Sequence, residues 1–170
     1  MHEHKLTGAC GAVISGLNLA QVGNYEFDFI SSKLAENGVL YFPEQQLNFD
    51  EFVALGRQFG DLEKHQIVDG MQSHPEITRV HKPAGESASF GVGWHSDNTF
   101  QNQPSMGSLL YAENVPPYGG DTLFDNQVLA YEQLPQQMKE LADSLMAVHS
   151  ASRAYQTESA MKKFNKETAI

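Results

Sequence analysis

The sequence predicts an α+β, mainly β fold in which several short strands form a sheet and a few helices pack on one side of it. Residues 39–42 form a compact apolar run, Val-Leu-Tyr-Phe, of the kind that favours a β-strand. Phe27, Ile30 and Leu34 recur at the spacing of one helix face, and Gly38 is placed to end that helix. Periodicity alone supports no finer class than α+β.

The other elements follow from the same kinds of signal. Asn48, with Glu51 three residues later, resembles a capping box for a helix that Gly60 ends. Pro135 suits the first position of a helix that runs to residue 145. The remaining segments predict an opening strand and turn at 8–19, a helix at 126–134, loops at 61–75 and 82–91, and short strands at 77–81, 93–100, 107–113, 121–124 and 147–150.

Length and composition predict one globular domain over residues 1–170. The net charge of −10, from 21 acidic and 11 basic residues, disfavours nonspecific binding to nucleic acids or anionic membranes. No apolar run reaches the length of a membrane span, and the N-terminus lacks the apolar core of a signal peptide. Cys10 is the single cysteine, which excludes an intramolecular disulfide and fits a reducing compartment. We therefore expect a cytoplasmic protein that binds neither nucleic acids nor membranes.

The stretch 93–100, Gly-Trp-His-Ser-Asp-Asn-Thr-Phe, contains the strongest chemical signal. In a strand, residues two apart point to the same face, so His95 and Asp97 would project together and could coordinate one metal ion. Imidazole and carboxylate suit Fe(II) when one more histidine completes a facial triad and the other positions stay open. The pair alone is weak evidence for a metal site, because a His-x-Asp sequence arises readily by chance and also fits a histidine hydrogen-bonded to a nearby acid.

The residues around the pair carry a resemblance. Residues 94–100, followed by Pro-Pro-Tyr-Gly-Gly-Asp-Thr at 116–122, resemble the W-H-x-D-x-T-F and P-P-x-G-G-D-T motifs of the TauD/TfdA family of Fe(II)- and 2-oxoglutarate-dependent dioxygenases. Residues 12–19 resemble the family's opening segment, and the resemblance extends over residues 8–155. It implies a partial double-stranded β-helix, or jelly roll, with flanking helices and without its C-terminal strands.

The resemblance also implies a set of site residues. His95 and Asp97 would be ligands of Fe(II), and the Thr122 hydroxyl would help bind a carboxylate of the cosubstrate 2-oxoglutarate. His65 occupies the loop where relatives with anionic substrates place a substrate-contacting histidine. From the residues alone, Thr122 is equally a turn residue that feeds a strand, and His65 an ordinary loop residue. Gly91 stands where taurine-specific relatives carry Asn, so taurine is not the expected substrate.

The third metal ligand has no clear candidate in the sequence. His149 is the sole histidine after Asp97, and its segment resembles a part of the family other than the one with the distal histidine. Arg153 is likewise not expected to be the arginine that pairs with 2-oxoglutarate. We therefore expect the N-terminal portion of a dioxygenase that hydroxylates a small anionic sulfonate, sulfate ester or carboxylate and releases succinate and CO₂. The alternative is a truncated, non-catalytic fragment that binds metal weakly or not at all. A homo-oligomer is expected, because a jelly roll without all its strands exposes unpaired edges.

Overall fold

The computed structural model describes residues 1–65, 69–82, 85 and 93–150. The chain divides into two compact units. The first contains Met1–Phe59 and Tyr111–Met146, and the second contains the described residues within 60–110 and 147–150. That residues 1–170 form a single domain stays a prediction. The described elements are the strands β1 (His2–Lys5), β2 (Ala12–Ser15) and β3 (Leu40–Tyr41) and the helices α1 (Asn24–Asn37), α2 (Phe49–Gln58), α3 (Gln127–Glu132) and α4 (Gln136–Asp143).

The first unit contains a mixed three-stranded sheet in the order β1-β2-β3. Strand β1 runs antiparallel to β2, and β2 runs parallel to β3 with Ala12 opposite Leu40. Helix α1 is the crossover that a parallel pair needs. Ala12 and Ile14 are fully buried, because side chains two apart in a strand point to the same face. The sequence predicted β2 and β3, whereas β1 was not predicted.

Helix α1 confirms the helix predicted from Phe27, Ile30 and Leu34. Ile30 is buried at 3% exposure and forms the core of this unit with Leu19 and Leu55. Gly38 follows the last helical residue with φ of +71°, and its N–H donates to the Leu34 carbonyl at 2.8 Å. That left-handed conformation is one that glycine adopts without steric cost, which is why the helix ends there.

A lysine in the second half of helix α1 joins it to strand β1. Lys33 Nζ lies 3.0 Å from a Glu3 carboxylate oxygen and 2.7 Å from a Glu36 carboxylate oxygen. The hydrogen bond from Lys33 lowers the pKa of the Glu3 carboxyl below its usual value, and that from Asn37 adds to the effect. The hydrogen bond to Glu36 is the largest cause of the raised pKa of Lys33. These contacts join strand β1 to helix α1.

Helix α2 begins at the predicted capping box. The Asn48 side chain accepts from the Glu51 N–H at 2.9 Å, and the Glu51 carboxylate accepts from the Asn48 N–H at 2.8 Å. The helix ends at Gln58, two residues before Gly60, which has φ of +137°. The Phe59 ring packs edge-on against a phenylalanine of α1, with ring centroids 4.9 Å apart. The predicted helix and its boundaries are therefore confirmed.

Five predicted strands are wrong. Within the described residues, the segments 77–81, 93–100, 107–113, 121–124 and 147–150 contain no β-strand. Apolar and β-branched composition favours a strand only where a neighbouring chain pairs with its backbone groups. The described α+β architecture is thus one small mixed sheet with helices, and it does not display a jelly roll. The predicted loop at 82–91 lies almost entirely outside the described residues.

The two C-terminal helices are shorter than predicted. Helix α3 begins after Asn126, whose side chain accepts from the Leu129 N–H at 3.0 Å. Pro135 is the residue before α4 and has ψ of 151°, so it caps the helix and is not its first member. Neither helix buries any of its residues. No helix in the described part of the chain is long and apolar enough to cross a membrane.

Candidate metal centre

The segment that contains His95 and Asp97 is irregular, which corrects the strand predicted for residues 93–100. Gly93 has φ of +97° and Asn98 has φ of +52°, and neither value is compatible with an extended strand. Residues 97–100 form a turn in which the Gln101 N–H donates to the Asn98 carbonyl at 3.0 Å. The two candidate ligands therefore converge through a bend and a turn.

The structure brings His95 and Asp97 together in the second unit. His95 Nε2 lies 3.3 Å from Asp97 Oδ1. The other ring nitrogen, Nδ1, lies 2.9 Å from the Gly93 carbonyl oxygen. A carbonyl oxygen only accepts, so Nδ1 carries the proton, and in the neutral ring Nε2 keeps its lone pair. The atom that faces the carboxylate is thus the one that can coordinate a metal.

The donor set and its spacing fit a divalent metal. Bonds of about 2.1 Å that meet at a right angle place two donor atoms about 3 Å apart, close to the separation of His95 Nε2 and Asp97 Oδ1. The two side chains are 56% and 58% exposed, so other coordination positions would be open to small molecules. Imidazole and carboxylate are the donor types of non-haem Fe(II) sites.

Within the described residues, no third protein ligand joins the pair. Across the described ranges, no group of three His, Cys, Asp or Glu side chains is arranged to hold a metal ion. His149 lies in the same unit, and its Nδ1 is 2.8 Å from the Thr99 hydroxyl, two residues beyond Asp97. That His149 is not a third ligand stays a prediction. Arg153 lies outside the described residues.

Polar side chains that the sequence did not single out make hydrogen bonds to Asp97 and to the segment after its turn. The Ser108 hydroxyl donates to Asp97 Oδ2 at 2.8 Å. The Glu63 carboxylate accepts from Gln101 Nε2 and from the Ser105 hydroxyl. Ser108, Gln101 and Ser105 lie between the two motifs at 94–100 and 116–122, and none of them carried a chemical signal in the sequence. Their contacts join residues eleven to forty-two positions apart, a separation at which periodicity carries no information.

Thr122 lies in the first unit, in an irregular exposed segment. Gly119 and Gly120, shortly before it, both have positive φ, of +78° and +74°. Two consecutive residues in that region favour glycine strongly. Leu110, in the segment 107–113 where the sequence predicted a strand, is 83% exposed and lies outside the core.

His65 lies half-buried in the loop after α2, in the same unit as His95 and Asp97. The loop predicted for residues 61–75 is irregular throughout its described part, as expected. Gly91 lies outside the described residues.

A separate pocket of about 490 Å³ opens in the first unit. Tyr111 shapes it, since its hydroxyl accepts from the Leu47 N–H at 3.2 Å and donates to the Gln45 carbonyl at 3.3 Å. None of the four predicted site residues lines this pocket. Its lining consists of Gln45, Leu47, Asn48, Phe49, Tyr111, Ala112 and Glu113.

A histidine and a carboxylate that converge with open positions around them define a candidate mononuclear metal centre of the kind found in non-haem oxygenases. The chain belongs to the taurine catabolism dioxygenase TauD, TfdA family, whose model matches residues 3–169. The family expected from the motifs is thereby confirmed. Non-haem iron is implied by the family.

Individual relatives support the same conclusion. An alkylsulfatase from Acinetobacter baylyi is 36% identical over 153 residues, which cover 89% of this chain and 47% of the relative. An alpha-ketoglutarate-dependent sulfonate dioxygenase from Saccharomyces cerevisiae is 30% identical over 161 residues, covering 86% and 38% respectively. A taurine dioxygenase structure from Burkholderia xenovorans matches with a TM-score of 0.73 at 31% identity, covering 84% of this chain and 51% of that one. The chain spans about half or less of the length of these relatives.

Proposed function

We propose that this chain supplies the metal-binding part of an Fe(II)- and 2-oxoglutarate-dependent dioxygenase that hydroxylates a small anionic organic substrate and releases succinate and CO₂. The convergence of His95 Nε2 and Asp97 Oδ1 at 3.3 Å, inside the motif that marks the family, supports the proposal most directly. The bound iron would supply the oxygen activation. The side chains would hold the metal and orient the small molecules around it.

Each predicted residue has a role that its chemistry allows. His95 and Asp97 would be the metal ligands, and the exposed Thr122 hydroxyl would donate to a carboxylate of 2-oxoglutarate. His65 would contact the anionic group of the substrate. The names of the relatives, an alkylsulfatase and a sulfonate dioxygenase, favour a sulfate ester or a sulfonate. The name of another relative, an (S)-phenoxypropionate dioxygenase, favours a carboxylate. The exclusion of taurine rests on Gly91 and the motif comparison alone.

Several broader expectations belong to the same proposal. A partial jelly roll is favoured by the likeness to a taurine dioxygenase structure at a TM-score of 0.73. A homo-oligomer and a cytoplasmic location are expected from the sequence. The alternative, a non-catalytic fragment that binds metal weakly or not at all, is favoured by one observation: the described residues offer two ligands and no third.

Anaerobic titration calorimetry tests the function. Fe(II) and then 2-oxoglutarate are added to the wild-type chain, to His95→Ala, and to His81→Ala as a matched control. His81 lies in the same unit and is exposed. We expect the wild type and His81→Ala to bind both compounds, and His95→Ala to lose metal affinity by about 100-fold or more because a direct ligand is gone. Succinate release on addition of O₂ then measures turnover.

The outcomes separate the two functions. Tight binding of both compounds and succinate release by the wild type would support the enzyme. Weak metal binding that 2-oxoglutarate does not strengthen would support the non-catalytic alternative. Equal Fe(II) affinity in the wild type and His95→Ala would show that the metal site lies elsewhere.

A further inference from the structure

The two oxygens of the Asp97 carboxylate have different partners. Oδ1 faces His95 Nε2 at 3.3 Å, whereas Oδ2 accepts a hydrogen bond from the Ser108 hydroxyl at 2.8 Å. Ser108 is eleven residues further along the chain, on the irregular segment that follows the turn at 97–100. Both residues are exposed, so this contact is not forced by close packing around them.

A carboxylate that ligates a metal can bind through one oxygen or through both, and its terminal torsion is broad. An aspartate on an exposed turn would therefore sample several orientations. A hydroxyl donor on Oδ2 satisfies that oxygen and leaves Oδ1 directed at the metal position. Hydrogen bonds of this type to ligating carboxylates tune metal affinity, and their removal typically costs about 10- to 100-fold.

We propose that Ser108 is a positioning residue for the metal centre, and that its hydroxyl holds Asp97 as a one-oxygen ligand with Oδ1 beside His95 Nε2. The role rests on the proposed function, since it requires that His95 and Asp97 bind a divalent cation. Ser108 itself would not touch the metal. A neighbouring network supports a specific orientation, because Asn98 Nδ2 donates to the Ser105 hydroxyl at 3.2 Å and Glu63 accepts from Ser105. The turn is therefore held by other contacts when Ser108 is altered.

Co(II), an air-stable substitute for Fe(II), is the probe that tests this role. Its affinity is measured by calorimetry, and its visible absorption spectrum reports coordination number and geometry. The variants are Ser108→Ala, Ser108→Thr and Ser96→Ala. Thr keeps the hydroxyl. Ser96 is an exposed serine between the two ligands whose hydroxyl does not bind the Asp97 carboxylate, so it controls for a Ser-to-Ala change nearby.

We expect Ser108→Ala to weaken Co(II) binding by roughly 10-fold and to change the absorption spectrum, because Asp97 is then free to bind through both oxygens. Ser108→Thr should restore the affinity and the spectrum, and Ser96→Ala should match the wild type. Far-ultraviolet circular dichroism should be the same for all four proteins.

Three results would overturn the role. If Ser108→Ala matches the wild type in affinity and spectrum while His95→Ala loses binding, the positioning role is wrong and the proposed function stands. If Ser96→Ala weakens binding as much as Ser108→Ala, the effect is not specific to the Asp97 contact. If neither the wild type nor His95→Ala binds Co(II), the proposed function and the positioning role are both wrong.

Discussion

Gln45 connects two segments of the first unit through its side chain. Its Oε1 accepts from the buried Leu19 N–H at 2.8 Å, and its Nε2 donates to the carbonyls of Leu17 and Pro43 at 3.0 Å each. Removal of the amide would leave these backbone groups without protein partners, which costs about 1–3 kcal/mol. We expect Gln45→Ala to lower the free energy of unfolding by that amount, measured by urea denaturation with an unchanged m-value.

The adjacent Gln46 provides the control for this residue. It is exposed, and the same change to alanine removes the same atoms. Gln46→Ala should alter the free energy of unfolding by less than about 0.5 kcal/mol, as is usual for surface positions. Equal losses in the two variants would contradict the importance of the Gln45 contacts and point to a change in the unfolded chain.

At the scale of elements, the turn that contains Asp97 depends on Glu63. Its carboxylate accepts from two residues of the segment that follows the turn, Gln101 and Ser105. Glu63→Gln replaces one acceptor oxygen with a donor amide, so the two hydrogen bonds cannot both persist. We expect amide hydrogen exchange at Gln101 to accelerate by roughly three- to tenfold, because a charge-assisted bond is lost.

Asp61→Asn is the matched variant for this element, because it removes the same charge from an exposed acidic residue two positions earlier. We expect amide hydrogen exchange at Gln101 to be the same in Asp61→Asn as in the wild type. If Asp61→Asn accelerates exchange as much as Glu63→Gln, net charge and not the hydrogen bonds to Glu63 would control the turn.

At the scale of the whole molecule, helices α3 and α4 leave most of their apolar residues exposed. Met138 and Leu141 of α4 lie three positions apart on one helix face and are 49% and 53% exposed. A helix normally buries such a face. We expect the chain to self-associate in a concentration-dependent way in sedimentation velocity, and the double change Met138→Glu and Leu141→Glu to weaken the association by about 10-fold or more.

Gln137→Glu is the control for added charge, since Gln137 is exposed on the same helix. It should sediment as the wild type does. A compact monomer at all concentrations in the wild type would contradict the expected homo-oligomer without bearing on the metal site.

The sequence by itself determined the features that depend on interactions between residues only a few positions apart. The end of α1 at Gly38 and the capping box of α2 at Asn48 were predictable for that reason. The identity of the candidate ligands, His95 and Asp97, was also predictable, because a motif specifies residue types and their spacing.

Tertiary structure alone decided the features that depend on distant partners. Whether an apolar run becomes a strand depends on a neighbour that pairs with it, so the sequence predicted β2 and β3, missed β1, and was wrong at 93–100. The orientation of Asp97 likewise depends on Ser108, and that of Gln45 on Leu17 and Leu19. These contacts join side chains across long stretches of chain, and only folding brings such atoms within hydrogen-bond distance.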